Sequence, residues 1–69
     1  MTLDILLERE DDGRWLAVID TLPGAMAYGS TPILAIAAVK ALALHVIADR
    51  IEHGEAPADM QTVNFEMAA

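Results

Sequence analysis

Apolar and polar residues alternate along the N-terminal third of the chain in a pattern typical of two β-strands. The segments LDILLERE and RWLAVID flank DDG, which suits a short hairpin loop with Gly13 in the left-handed conformation. In that register Leu7 lies opposite Ala17. Because side chains alternate across a strand, one face is apolar throughout. We predict that this face lies in the core; it carries Ile5, Leu7, Trp15, Ala17 and Ile19.

The opposite face of the predicted hairpin mixes acidic and apolar residues. It carries Asp4, Leu6, Glu8, Leu16, Val18 and Asp20. A sheet face that meets solvent is ordinarily more polar than this. Either another molecule covers the strip of Leu6, Leu16 and Val18, or the true register differs from the predicted one.

Turn and capping residues divide the next part of the chain. TLPG predicts a turn with Gly24 at positive φ, and AMAY predicts a third short strand that Gly29 ends as a turn residue. Thr31 (or Ser30) then suits a helix N-cap, and Pro32 suits the first helical position. We expect the helix to run to about residue 53, with a glycine at 54 as its C-terminal stop.

The C-terminal segment predicts a loop and a last strand. EAPADMQ has the composition of a loop, and TVNFEM alternates apolar with polar residues. The whole chain therefore predicts a single α+β domain over residues 1–69. We expect an antiparallel sheet of three strands with one helix packed across it, then a fourth strand (β-β-β-α-β).

The predicted helix is unusually apolar in its first three turns. Only Lys40 interrupts the run from Ile33 to Leu44, which indicates burial on more than one side. A chain of 69 residues without cysteine has little interior and no disulfide to stabilise it. We therefore predict a homo-oligomer, with self-association through Ile33, Leu34 and Ala37. The alternative is an ordinary core helix whose far side is formed by alanines.

The net charge of the chain indicates which kinds of partner it is suited to bind. The net charge of −7, from 4 basic and 11 acidic residues, argues against direct binding of nucleic acid. It suits a basic protein partner, although it would also serve solubility alone. No signal peptide is visible, and the run from Ile33 to Leu44 is too short to span a bilayer, so a cytoplasmic location is expected.

The segment GRWLAVIDTLPGAMAYGSTPILAIAAVKALALHVI resembles the N-terminal domain of the HicB-like antitoxins. That family combines a Gly-aromatic-x-Ala start, an LPG turn, Gly-x-Thr-Pro and an alanine-rich helix. The matching positions here are Gly13, Trp15, Ala17, Leu22, Pro23, Gly24, Gly29, Thr31, Pro32 and Ala35. The resemblance implies a truncated RNase H-like fold without enzymatic activity. It also implies a toxin–antitoxin role, in which the chain binds and masks HicA, a small RNase toxin.

The sequence departs from the family pattern in three places. Ile33 and Leu34 stand where the family usually has acidic residues, and Asp20 stands where it commonly has proline. No segment after Gly54 has the length or the basic charge of a DNA-binding domain, so operator binding is not expected.

Two sets of side chains are the expected contacts with a basic toxin. The first is the apolar strip of Leu6, Leu16 and Val18. The second is the acidic hairpin, formed by Glu8, Glu10, Asp11 and Asp12. The alternative function is an orphan homo-oligomer of the same fold that has no toxin partner.

Two further groups of side chains are of the types that bind metal ions. His45, Asp49 and His53 share one helical stripe, but the outer pair is about 12 Å apart, too far for one ion without a second chain. The acidic residues Asp4, Glu8, Asp20 and Glu66 suggest a degenerate two-metal nuclease. The scarcity of basic residues to grip a phosphate backbone argues against it. We expect no catalytic residue, no metal and no cofactor.

Overall fold

One helix lies across a four-stranded sheet in the computed structural model, which describes residues 1–55 and 61–68. The elements are β1 (Thr2–Arg9), β2 (Trp15–Val18), β3 (Met26–Gly29), α1 (Pro32–Glu52) and β4 (Asn64–Met67). The predicted α+β class and the β-β-β-α-β order are confirmed. The predicted EAPADMQ loop falls for the most part outside the described residues.

The sheet is mixed, with the strand order β3-β2-β1-β4. The first three strands pair antiparallel, whereas β4 pairs parallel with β1. Strands β3 and β4 therefore run in the same direction. A connection between such strands has to cross the sheet. This explains why α1, which makes that connection, lies across one face.

The hairpin register is the predicted one. Leu7 pairs with Ala17, and the N–H of Glu10 donates to the carbonyl of Arg14 at 2.8 Å. Gly13 has a φ of 89°, the left-handed value that the loop requires. The mixed composition of the outer face is therefore a property of the folded sheet and not an error of register.

The core lies between α1 and the sheet face that it covers. The helix contributes one buried stripe, Ala35, Val39, Ala43 and Ile47. The sheet and the β2–β3 connection contribute the remaining buried apolar side chains, Leu3, Ile5, Ala17, Ile19, Leu22 and Ala25. Small residues on both sides let the helix approach the strands closely. No described residue with a polar or charged side chain is buried.

Both predicted ends of α1 are confirmed. The Thr31 hydroxyl oxygen accepts a hydrogen bond from the Leu34 N–H at 3.2 Å, which satisfies one of the free donors of the first turn. At the other end His53 is the C-cap, and Gly54 has a φ of 73°. Local sequence signals are therefore sufficient to predict both ends of the helix.

Gly29 has a different role from the predicted one. It is the last residue of β3, and its φ is not positive, so it is not a turn glycine. A Cβ at this position would lie 2.4 Å from the backbone nitrogen of Ala35 and 2.8 Å from its Cα. The absence of a side chain allows the first turn of α1 to pack directly on β3.

By length and composition, α1 also meets the criteria for a membrane-spanning helix. It has 21 residues, and its most apolar window has a mean hydropathy of 1.8. This is weak evidence, because the core helices of soluble proteins meet the same criteria. The prediction that this segment is too short to span a bilayer was based on the run from Ile33 to Leu44, which is only part of the helix. The cytoplasmic location stays a prediction.

Candidate functional site

The sheet face turned away from α1, here called the open face, carries a contiguous group of apolar side chains. Pairing of β1 with β2 and of β2 with β3 aligns Leu6, Val18 and Met26 across the three strands. The same pairing places Leu16 beside Tyr28. Met26 is 52% exposed and Tyr28 is 48% exposed. No described element covers this group.

The three residues of the predicted apolar strip are brought together, but they differ in exposure. Leu6 is 39% exposed and Val18 is half-buried. Leu16 is only 7% exposed, because its cross-strand neighbours surround it. Leu16 is therefore largely inaccessible to a partner. The exposed surface that a partner would contact is formed by Leu6, Val18, Met26 and Tyr28.

Acidic side chains border the apolar group. Glu8 pairs across the hairpin with Leu16, and Asp4 pairs with Glu66 of β4. All three carboxylates are exposed. Asp4 and Asp20 also line one hollow, together with Leu6, Thr21 and Ala68. The open face thus has an apolar centre with carboxylates along its border.

The hairpin end of the open face is organised by Arg14. Its Nε donates to Oδ2 of Asp12 at 2.7 Å, and its backbone N–H donates to Oδ1 of the same carboxylate at 3.0 Å. The guanidinium also lies over the ring of Tyr28, 4.3 Å from the centroid. Of the four acidic residues predicted as contacts at this hairpin, Asp12 is therefore already paired within the chain. Glu8 and Asp11 are exposed, and Glu10 is half-buried.

The pairing with Arg14 predicts the titration of Asp12. Hydrogen bonds from the Arg14 backbone N–H and then from its guanidinium hold the pKa of Asp12 below the ordinary value of an aspartate. A depressed folded-state pKa means that the pairing stabilises the hairpin above the unfolded-state pKa. This stabilisation is lost as the pH falls through the lower folded-state value. We expect an NMR titration to give an Asp12 pKa below the ordinary value of an aspartate.

The variant Arg14→Gln isolates the contribution of the guanidinium. It keeps the backbone donor and removes the side-chain hydrogen bond and the positive charge, so the Asp12 pKa should rise part of the way to its ordinary value. An unchanged Asp12 pKa in this variant would contradict the described ion pair.

The residues predicted as possible metal ligands do not form a metal site among the described residues. No group of three or more His, Asp or Glu side chains there is placed to hold an ion. His53 Nδ1 lies 2.7 Å from the carbonyl oxygen of Asp49 and 3.4 Å from its Oδ1, whereas His45 does not join them. This arrangement is that of a solvent-exposed helix end.

The predicted self-association residues lie together near the start of α1. Ile33, Leu34 and Ala37 are all exposed, and Ile33, at 77%, is the most exposed large apolar residue in the part of the chain that the structure describes. Lys40, the basic residue within the apolar run, lies over the ring of Phe65, 5.7 Å from the centroid.

Sequence reasoning missed Met26 and Tyr28 as part of the open face. The signal was present: continuing the alternation of side chains from β2 into the AMAY segment would have placed both residues beside Val18 and Leu16. That step needs the β2–β3 register, which depends on the conformation of the intervening TLPG turn.

Comparison of the chain with protein-family models, with curated proteins and with solved structures found no match. The likeness to the HicB-like antitoxins therefore rests on the sequence motifs alone and stays a prediction.

Proposed function

We propose that this chain is a HicB-like antitoxin-type binding protein that neutralises a small basic HicA-like RNase toxin by occlusion. In this proposal the open face of the sheet is the toxin-binding surface. The observation that carries the proposal is the composition of that face, which has exposed apolar side chains at its centre and carboxylates at its border.

The apolar residues at the centre of the open face favour binding, because a partner would remove their exposed surface from water. Monomeric proteins rarely expose a contiguous apolar group of this kind unless it is used. Met26 and Tyr28 are well suited to a contact surface, because a flexible thioether adapts to its partner and an aromatic ring buries a large area. Tyr28 is held in place by Arg14, which reduces the conformational entropy that binding would cost.

The carboxylates supply selectivity for a basic partner. Asp4, Glu8, Asp20 and Glu66 lie on or beside the open face, and the whole chain has a net charge of −7. Charges at the rim of an interface mainly raise the association rate and reject like-charged partners. Binding should therefore weaken as the salt concentration rises.

Occlusion suits these residues better than catalysis does. Active sites commonly depend on desolvated titratable groups, whereas no described polar or charged side chain is buried. Asp4 and Asp20 share a hollow and Glu66 pairs beside Asp4, but a two-metal nuclease needs carboxylates that converge, and no described group of three is placed to hold an ion. The degenerate nuclease is therefore the less favoured alternative.

Affinity capture from a lysate of the source organism, followed by an RNA-cleavage assay, tests the proposal. The tagged chain should retain a small basic protein at low salt and release it at moderate salt. The released protein should cleave RNA by itself and should stop cleaving when the purified chain is returned in stoichiometric amount.

A pair of variants assigns the binding to the open face. The double variant Leu6→Glu/Met26→Glu should weaken binding of the captured protein by at least about tenfold, because it places charges in the apolar centre. Leu44→Glu/Ile51→Glu adds the same two charges on the outer surface of α1; it is the matched control and should bind as the wild type does. Equal binding by the double variant would contradict the proposal. Recovery of only untagged copies of the chain would instead favour the orphan homo-oligomer.

A further inference from the structure

The outer surface of α1 carries a second apolar pattern that the sheet does not use. Six apolar residues follow one another at spacings of three and four along the helix, and each is exposed. We call this set the helix seam; it consists of Leu34, Ala37, Ala41, Leu44, Ala48 and Ile51. The buried stripe that packs on the sheet is a separate set of residues.

The spacing of the seam indicates what kind of surface it fits. Alternation of three and four residues keeps apolar side chains on one line of a helix and is the repeat by which two helices pack together. The seam extends from Leu34 to Ile51, about 25 Å along the axis at roughly 1.5 Å per residue. Such a line fits another helix of similar length better than it fits a flat surface or a small molecule.

We infer that the helix seam is a self-association surface at which two copies of this chain pair their α1 helices in antiparallel orientation. The described chain has one helix, and that helix carries the complete repeat, so a second copy supplies a partner with matching spacing. A two-fold axis near the middle of the seam makes the contact isologous, with the same residues used on both copies.

Antiparallel pairing distributes the side chains evenly along the contact. Leu34 then packs against Ile51 of the other copy at both ends of the seam. Toward the centre, Ala37 meets Ala48 and Ala41 meets Leu44. A parallel arrangement would instead pair each residue with itself. It would leave consecutive all-alanine contacts at Ala37 and Ala41.

Charge complementarity favours the same orientation. The first turn of α1 contains no acidic residue, although the positive end of a helix dipole favours one. The last turns, at the negative end, carry the exposed acidic residues Asp49 and Glu52 and the half-buried basic residue Arg50, which is not part of the seam. Antiparallel pairing brings Glu52 of one copy to the start of the other helix, whereas parallel pairing would place like charges and like dipole ends together.

The inference extends the self-association surface predicted from the sequence. Leu34 and Ala37 are its first two members, and Ile33 flanks them. It does not depend on the toxin proposal, because the seam and the open face lie on opposite sides of the molecule. The two surfaces can therefore be tested by separate variants.

Native mass measured by light scattering tests the association. The wild-type chain should have the mass of a dimer. Leu44→Glu should weaken the dimer by at least about tenfold and shift the mass toward that of a monomer. Gln61→Glu makes the same change in net charge at an exposed position outside the helix and should remain dimeric. A monomeric wild type, or an unchanged mass for Leu44→Glu, would overturn the inference.

Disulfide trapping tests the orientation and does not depend on whether Leu44→Glu folds. The chain has no cysteine, so only the introduced thiols can form disulfides. An oxidised mixture of Ala37→Cys and Ala48→Cys chains should form the mixed 37–48 disulfide in preference to either homodimer. Preferential 37–37 and 48–48 disulfides would overturn the antiparallel arrangement.

Vesicle sedimentation tests whether the helix seam binds a lipid surface or a second copy of the chain. With vesicles of equal parts phosphatidylcholine and phosphatidylglycerol, the wild-type chain should stay in the supernatant as a dimer. Sedimentation of the wild type that Leu44→Glu abolishes would assign the seam to lipid and would overturn the inference.

Discussion

Replacement of Gly29 with alanine is expected to lower the free energy of unfolding by about 2–3 kcal/mol, as overpacking of a close contact does. The new Cβ would lie 2.4 Å from the backbone nitrogen of Ala35 and 2.8 Å from its Cα. Because backbone atoms cannot rotate out of the way as a side chain can, α1 would have to move away from β3. For a domain of this size the melting temperature should fall by roughly 10–20 °C.

The control for this effect is Gly13→Ala in the hairpin loop. Gly13 has no other atom within 4 Å of a Cβ, so alanine would meet only the strain of its left-handed φ, about 1 kcal/mol. Thermal unfolding followed by circular dichroism compares the two variants. A Gly29→Ala variant no less stable than Gly13→Ala would show that the close packing of helix on strand is wrong.

Replacement of Ile5 with alanine is expected to cost about 3 kcal/mol of stability, in the range found when a large buried side chain is truncated. Ile5 is fully buried in the core between the sheet and α1, so its truncation would leave a cavity there. The variant should therefore unfold at a markedly lower denaturant concentration than the wild type.

The neighbouring residue gives a matched control on the same strand. Leu6 is 39% exposed and faces the other side of the sheet, so Leu6→Ala should cost less than about 1 kcal/mol. Denaturant titration of both variants measures the difference. Equal costs, or a larger cost at Leu6, would mean that the open face is covered in solution or that the β1–β2 register is shifted.

The elements that sequence reasoning predicted well are those with local signals. DDG sets the hairpin loop through the left-handed preference of Gly13, and this loop sets the register of β1 on β2. Thr31 and Pro32 set the start of α1, and Gly54 its end. Each of these signals acts over a few residues, so no knowledge of the tertiary structure is needed to interpret it.

The features that sequence reasoning missed depend on contacts between distant parts of the chain. The close approach of Ala35 to Gly29 exists only once α1 crosses the sheet. The parallel pairing of β4 with β1 likewise depends on where the chain returns after the helix. The exposure of Met26 and Tyr28 follows from which sheet face α1 leaves open. The first two have no signature in the local composition, and the third requires the β2–β3 register in addition to the alternation of side chains.

The open face and the helix seam could be predicted only in part, because their full extent depends on contacts between distant parts of the chain. Alternation along the hairpin was sufficient to identify Leu6, Leu16 and Val18 as an anomalous apolar strip, but not to distinguish the buried Leu16 from its exposed neighbours. The apolar run after Pro32 indicated an association surface at Ile33, Leu34 and Ala37. Its continuation to Ile51 becomes evident once the buried face of the helix is known.

The most direct test of the toxin-binding account is a methyl NMR titration of the chain with the small basic protein that it captures. We expect the methyl signals of Leu6, Val18 and Met26 to shift as the complex forms, because these groups lie at the centre of the open face. The methyl signals of Leu44 and Ile51 on the helix seam should stay in place. Shifts confined to Leu44 and Ile51, with the open-face signals unchanged, would contradict the account.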